Sequence, residues 1–249
     1  MATPPSGNPE DDLAPILTRW EFSSDQPQVR FLDGIDGSRR IQIRLEAGIL
    51  QFEGVGRPDG LRPQGGDSWL EVLRTCAIRL TVSQCEALRR ELMLYHQRAA
   101  ALFILQEFDA ARRDCQHNLE AIALVRAHAE SKVDLGSFEL IRVAAVLMGT
   151  RAEASACVRR RDTQGALAAI DRGLAGLHAP HTASPQLHRD DPPADSAEAD
   201  MLRAMRDALV PKLPSSQRVD LEVRLQRALR FENYKLAAIL RNELRQIGD

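Results

Sequence analysis

Past residue 80 the apolar residues return at steps of three and four, and this spacing decides what the chain can become. Cys85, Leu88, Leu92, Tyr95, Ala99 and Leu102 form one stripe along a long helix. The helix opens at overlapping capping pairs, Thr81 with Gln84 and Ser83 with Glu86. A break near Gln106 and Glu107 precedes a second stripe of Phe108, Ala111, Cys115, Leu119, Ile122 and Val125, which predicts an antiparallel helical hairpin. A third stripe (Phe138, Ile141, Ala145, Met148, Ala152) runs to the charged turn at Arg159 to Asp162, and a fourth follows at Leu167, Ile170, Leu174 and Leu177.

Two of the joints, LQEFDAARRD and RRDTQGALAAIDRGL, place a small residue, Ala111 or Ala166, just after the turn, where paired helices must approach closely. That arrangement resembles tetratricopeptide (TPR) hairpins. The two alanines lie 55 positions apart (166 − 111), against a repeat period of ~34 residues, so the pattern is TPR-like rather than TPR.

Composition supports a mainly α fold. Aromatic residues make up only 4%, while Ala, Leu and Arg are abundant. The balance of 33 basic against 35 acidic side chains gives no overall positive field of the kind that drives nonspecific DNA binding. The N-terminus carries acids and prolines where a secretory signal needs a positive end and an apolar run, and no apolar stretch approaches the ~18 residues of a membrane span. A cytoplasmic protein that does not enter the membrane is expected. The four cysteines, Cys76, Cys85, Cys115 and Cys157, form no CxxC pair and are expected as reduced, mostly buried thiols.

Five segments are expected. Residues 1–14, rich in Pro, Gly, Ser and acid, read as a disordered tail. Residues 15–66 read as a small β-rich element: Val29 and Phe31, an Asp36-Gly37 turn, then Ile41, Ile43 and Leu45 alternating with Gln42 and Arg44 are a hairpin signature. The run GVGRPDGLRPQGGDSW that follows is a loop, expected to cover one edge of the sheet. Residues 67–179 form the TPR-like helical body and 180–196 a linker. Residues 197–249 hold the last helices: one capped by Asp195 with Glu198, carrying Met201, Leu202, Met205 and Leu209 and stopped by Pro211 and Pro214, then a hairpin over 216–247.

In that hairpin Leu221, Leu225 and Leu229, with Ala228 beside them, stripe the first helix; Asn233 is placed to cap the second, which carries Tyr234, Ala237, Ala238, Leu240, Leu244 and Ile247, and Gly248 supplies a stop. The consecutive alanines suit two helices that must meet near a tight joint. The run Ala228, Glu232, Tyr234, Ala237-Ala238, Leu240, Arg241 resembles the UVR motif of the UvrB/UvrC repair proteins. Lys235 stands where that family usually has glutamate, and Asn242 where it has aspartate. More broadly, the N-terminal IQIRLEAGILQFEGVGRPDG, the TPR-like centre and this ending resemble bacterial proteins that carry a terminal UVR motif. The resemblance implies a hairpin that joins protein to protein. A unit this short cannot bury an adequate core alone, so its apolar face needs a cover. The candidate partner-binding residues are Leu221, Leu225, Leu229, Tyr234, Ala237, Ala238, Arg241 and Leu244, and the partner is another protein or a second copy of the chain.

No phosphate-cradling or nucleophile motif is present, neither GxGxxG, GxxxxGK[ST], HExxH nor GxSxG. No enzymatic activity, cofactor or metal is therefore expected. His178, His181 and His188 cluster in the linker without a further ligand at helical spacing, and His96, His117 and His128 fall within helices as surface or partly buried residues. Asp33, Asp36 and Asp59 are expected to serve turns, and Arg39-Arg40 and Arg159 to Arg161 to meet helix ends and exposed carbonyls. From Ser216 onward the hairpin carries seven Arg or Lys against five acids, a net of +2, too little to bind a duplex unaided. Direct nucleic-acid binding is not expected. The expected function is that of a non-catalytic adaptor or scaffold with a UVR-like hairpin and a TPR-like groove. The alternative is an accessory role in DNA excision repair or nucleic-acid metabolism, and a third reading is an enzyme built on the GRPDG loop, which needs a pocket that includes Arg57 and Asp59.

Overall fold

The computed structural model describes residues 12–76, 79–130, 133, 135–177, 196–210, 215–230 and 233–247. It is mainly helical, with a three-stranded antiparallel sheet near the N-terminus. The strands run in order β1 (Gln28–Asp33), β2 (Arg39–Leu45), β3 (Gly48–Glu53), with Phe31, Ile41 and Phe52 in register across them. The Asp36-Gly37 turn forms as expected: Gly37 sits at φ 76°, where a Cβ is disfavoured, and Asp36 Oδ1 accepts the Ser38 amide at 3.1 Å. Asp59 does the same for the Leu61 amide, also at 3.1 Å.

The sheet departs from the expected alternation. Leu45 is 42% exposed, whereas Gln42 and Arg44 are each 7% exposed. The reason is a second cover. Ahead of β1 a short helix, α1 (Ala14–Arg19), starts where Asp12 accepts the Ala14 amide, and the Trp20 that follows it stacks against Arg30 at 3.8 Å while its carbonyl accepts Arg44 Nε at 2.7 Å. Gln42 is satisfied within the sheet, accepting from Arg30 and donating to Gln51 at 2.9 Å. Period-two reasoning also stops at a hairpin, while the structure adds β3 through the two residues Glu46-Ala47, because Gly48-Ile49-Leu50 breaks the alternation that would have marked a strand.

The chain divides into two compact units, with the division inside one helix at residues 156–157. In the first, α2 (Trp69–Cys76) begins where the sequence reads as loop, and α3 (Val82–Ile104), α4 (Phe108–His128) and most of α5 (Leu135–Arg159) follow the three stripes. Thr81 and Gln84 close the capping box, so of the two overlapping pairs it is this one that forms. Leu70, Leu73, Leu80, Leu88, Leu92, Ile122 and Val125 share a core with Phe138 and Ile141. A second cluster seats the sheet, through Ile41 and Phe52, on Ala101, Leu102, Ala111 and Ala152. Each fully buried Leu or Ile contributes on the order of 1.5–3 kcal/mol, which makes these two clusters the main source of stability here.

In the second unit α6 (Thr163–Leu177) packs against α7 (Ala197–Leu209), with Arg206 Nε 3.2 Å from Asp171, and α8 (Ser215–Arg230) pairs with α9 (Tyr234–Ile247). α6, read from the sequence as part of the body at 67–179, packs against α7. The cap of α7 is Ser196, whose hydroxyl accepts the Ala199 amide, in place of the expected Asp195. Asp195, the linker residues 180–195, the tail 1–11, Pro211 and Pro214 lie outside the described residues. Among the described residues no helix is long and apolar enough to cross a membrane.

Candidate functional site

The expected partner-binding residues fall on two faces of the α8–α9 hairpin. Leu221, Leu225 and Leu229 turn inward and pack, half-buried, around Ala228, Ala237 and Leu240, which are buried. Leu244 is half-buried. Tyr234 stands 67% exposed, and Ala238 and Arg241 are exposed with it. The Ala-Ala pair therefore splits: Ala237 permits the close approach of the helices, and Ala238 does not take part in it. Tyr234, Ala238 and Arg241 are spaced by four and three residues, one face of a helix. Val223, Leu236 and Ile239 add exposed apolar surface at 58%, 39% and 51%. Asn233 caps α9 as expected, accepting the Leu236 amide at 3.2 Å.

Among the described residues the joint of this hairpin occurs three times. At the first, the Glu107 amide donates to the Leu102 carbonyl at 2.9 Å, and Ala111 follows four residues on, fully buried. At the second, the Asp162 amide donates to the Cys157 carbonyl at 2.9 Å, with Ala166 fully buried four residues on. At the third, the Asn233 amide donates to the Ala228 carbonyl at 2.9 Å, with Ala237 four residues on at 4% exposure. Gln106 and Arg161, the last residues of the first two turns, take φ of 61° and 60°. A helix that ends in such a six-to-one bond reverses within two or three residues, and only a small side chain fits where the chains then cross. Phe231 and Glu232, the corresponding turn of the third joint, lie outside the described residues.

Sequence reasoning missed a buried polar cluster in the first unit. Glu91 is fully buried on α3 and accepts the Trp69 amide at 2.7 Å and the Leu70 amide at 3.3 Å, the first free N–H groups of α2. His117 Nε2 lies 3.0 Å from the same carboxylate, and the imidazole stacks on Tyr95 at 3.7 Å. Burial, with the Glu91 charge beside it, pushes the Tyr95 phenol up to about 12. One turn further along α3, Arg98 grips Asp114 at two points and donates from Nη1 to the carbonyls of Glu53 (3.0 Å) and Gly56 (2.7 Å). The end of β3 and the start of the loop after it are thus held by a helix side chain. A signal was available: Glu91, Tyr95 and Arg98, at i, i+4 and i+7, share the inward side of α3 with leucines, and a charge in an apolar stripe asks for a buried partner.

Other candidates place simply. His96 is partly buried, and burial lowers its pKa; His128 is partly buried near the end of α4. Cys85, Cys115 and Cys157 are buried free thiols, and burial pushes Cys115 up to about 12. Arg40 pairs with Asp36 and Glu53, and Arg39 stacks on Phe31 at 4.0 Å. Among the described residues no His, Cys, Asp and Glu are grouped to hold a metal ion, and His178, His181 and His188 lie outside them.

No protein-family model, curated protein or solved structure matches this chain.

Proposed function

We propose that the protein is a non-catalytic adaptor that docks a partner protein on the outer face of α9, through Tyr234, Ala238 and Arg241. One observation carries this reading: a large aromatic ring, 67% exposed, stands in line with an alanine and an arginine on a hairpin whose buried cluster, among the described residues, is Ala228, Ala237 and Leu240. Aromatic and Arg side chains flanking a small residue suit a helix-face interface, because they supply contact area at little entropic cost where the alanine lets a partner come close.

The UVR resemblance supports the same face and can be divided. Ala228, Asn233 and Ala237 are what any of this chain's joints requires, so their presence speaks of hairpin geometry. Tyr234, Ala238 and Arg241 are not required by the joint and are free to be read by a partner. The two similar joints at Ala111 and Ala166 support a TPR-like character for the helical body, a second surface of the same adaptor.

The test is co-purification of cellular partners with the full chain, with Tyr234→Ala/Arg241→Ala, and with a chain ending at Pro214. Partners retained by the full chain and lost from both variants are expected. Equal capture by all three would sink the docking role of this face. Sedimentation of the purified chain and its double variant distinguishes a second copy from a different protein.

A further inference from the structure

The side of α9 that carries Tyr234 also carries the cations of that helix. Tyr234, Ala238, Arg241 and Arg245 follow one another at spacings of four, three and four residues, and Lys235 lies beside them, three residues before Ala238. All five are exposed. Among the described residues, the side chains of Lys235, Arg241 and Arg245 have neither an ion pair nor a hydrogen bond. Exposed arginines of the first unit do find a carboxylate: Arg62 meets Asp67 at 3.2 Å and Arg74 meets Glu120 at 2.8 Å.

Glu243, the acid within α9, does not answer them. It lies two residues before Arg245 and so across the helix from it, on the flank of Ile239 and Leu236, four and seven residues back. Three positive charges are therefore left in line with an aromatic ring and a small residue. Apolar surface adjoins them, since Ile239, one turn after Lys235, is 51% exposed and Leu236 is 39% exposed.

This arrangement discriminates between occupants. A second copy docking the same face against itself would set Lys235, Arg241 and Arg245 against like charges, which repel. A nucleic-acid strand would meet the cations but would bring phosphates, not apolar surface, to Ile239. A protein segment with carboxylates beside an apolar stripe matches both. We propose that the partner of the α9 face is an acidic amphipathic helix of another protein, whose carboxylates meet Lys235, Arg241 and Arg245 while its apolar stripe covers Tyr234, Ala238 and Ile239. The inference rests on α9 being the docking surface and adds the chemistry of what docks there.

The experiment is fluorescence anisotropy of the full chain in dilute salt with three labelled probes: an amphipathic peptide with a leucine stripe at helical spacing and glutamates beside it, its twin with glutamine at every glutamate, and an oligothymidylate strand. The glutamate peptide is expected to bind at least about tenfold more tightly than its twin and to lose that advantage in about 0.5 M salt. Arg241→Glu/Arg245→Glu should weaken it at least about tenfold, while the same charge change in the first unit, Arg112→Glu/Arg113→Glu, leaves binding intact. All four arginines are exposed, so both variants should keep the circular dichroism of the parent. Tyr234→Ala should weaken both peptides alike, which separates the inference from the reading beneath it. Two peptides bound equally, and both weakened by Tyr234→Ala, would leave α9 a docking face and overturn its acidic partner. A glutamate peptide whose binding neither Arg241→Glu/Arg245→Glu nor Tyr234→Ala weakens would overturn the face itself. Tighter binding of oligothymidylate, or no binding of the glutamate peptide, would overturn the proposal as well.

Discussion

Arg98 and Asp114 meet edge to edge across α3 and α4, Nε to Oδ2 at 2.8 Å and Nη2 to Oδ1 at 2.7 Å, with side chains 5% and 7% exposed. The pair stands where a helical hairpin, the sheet and the loop after β3 converge, since the same guanidinium also holds the carbonyls of Glu53 and Gly56. Asp114→Ala leaves a cation buried without a counter-charge and should destabilise the first unit by about 3–5 kcal/mol. The double variant Arg98→Met/Asp114→Leu removes both charges and should lose less than the single one. Urea denaturation of the three proteins decides this: a single variant no less stable than the double contradicts the assignment.

The split alanine pair gives a paired test in the second unit. Ala237→Leu forces bulk between α8 and α9 at their crossing and should destabilise the hairpin by about 1–3 kcal/mol. Ala238→Leu faces solvent and should stay within about 0.5 kcal/mol of the parent. Amide hydrogen exchange along α9 reads both, and equal protection in the two variants would reject the placement.

Stability should fall on the alkaline side. The Cys115 thiol titrates near 12 in the folded chain against an ordinary 9.0, because burial disfavours its thiolate and Asp114 adds a like charge. A group whose folded pKa lies above its unfolded one contributes stability that is complete below the unfolded value and lost as pH rises through the folded one. The urea midpoint should therefore decline between pH 9 and 12, and Cys115→Ala should flatten that decline. An unchanged slope would mean other groups drive it.

Gly54 has no room for a side chain: a Cβ there would lie 2.5 Å from the Arg39 carbonyl oxygen, to which its own amide donates at 2.8 Å. Gly54→Ala should cost about 1–3 kcal/mol by prising the loop from β2. Thermal unfolding compared with Gly48→Ala, where nothing lies within 4 Å of the added Cβ, isolates the clash from the loss of glycine flexibility.

The helices and joints were legible because a stripe and its cap are local. Thr81 with Gln84, the breaks at Gln106 and at Arg159 to Asp162, and the small residues Ala111 and Ala166 each act within a few positions of themselves. What escaped depends on distant partners. Nothing near Arg44 says that the Trp20 carbonyl will cover it, and nothing near Glu91 says that the first amides of α2 and His117 will surround it, although its place beside Leu88 and Leu92 was a clue. In the candidate face, spacing and the UVR resemblance together grouped Tyr234, Ala238 and Arg241 with Leu221 and Leu225. Only the crossing of α8 and α9 separates what closes the hairpin from what it displays.

From the carbonyl that accepts to the small residue that follows, the joint spans ten residues at Leu102–Ala111, Cys157–Ala166 and Ala228–Ala237. Its demands are a carbonyl that accepts from five residues on and a small side chain after the reversal, and both are met within the segment itself. Transplanting one such segment into the place of another should therefore leave each helix pair closed, while everything between the joints is free to lengthen, shorten or diverge. A chain assembled on that rule can change what it displays without relearning how to fold.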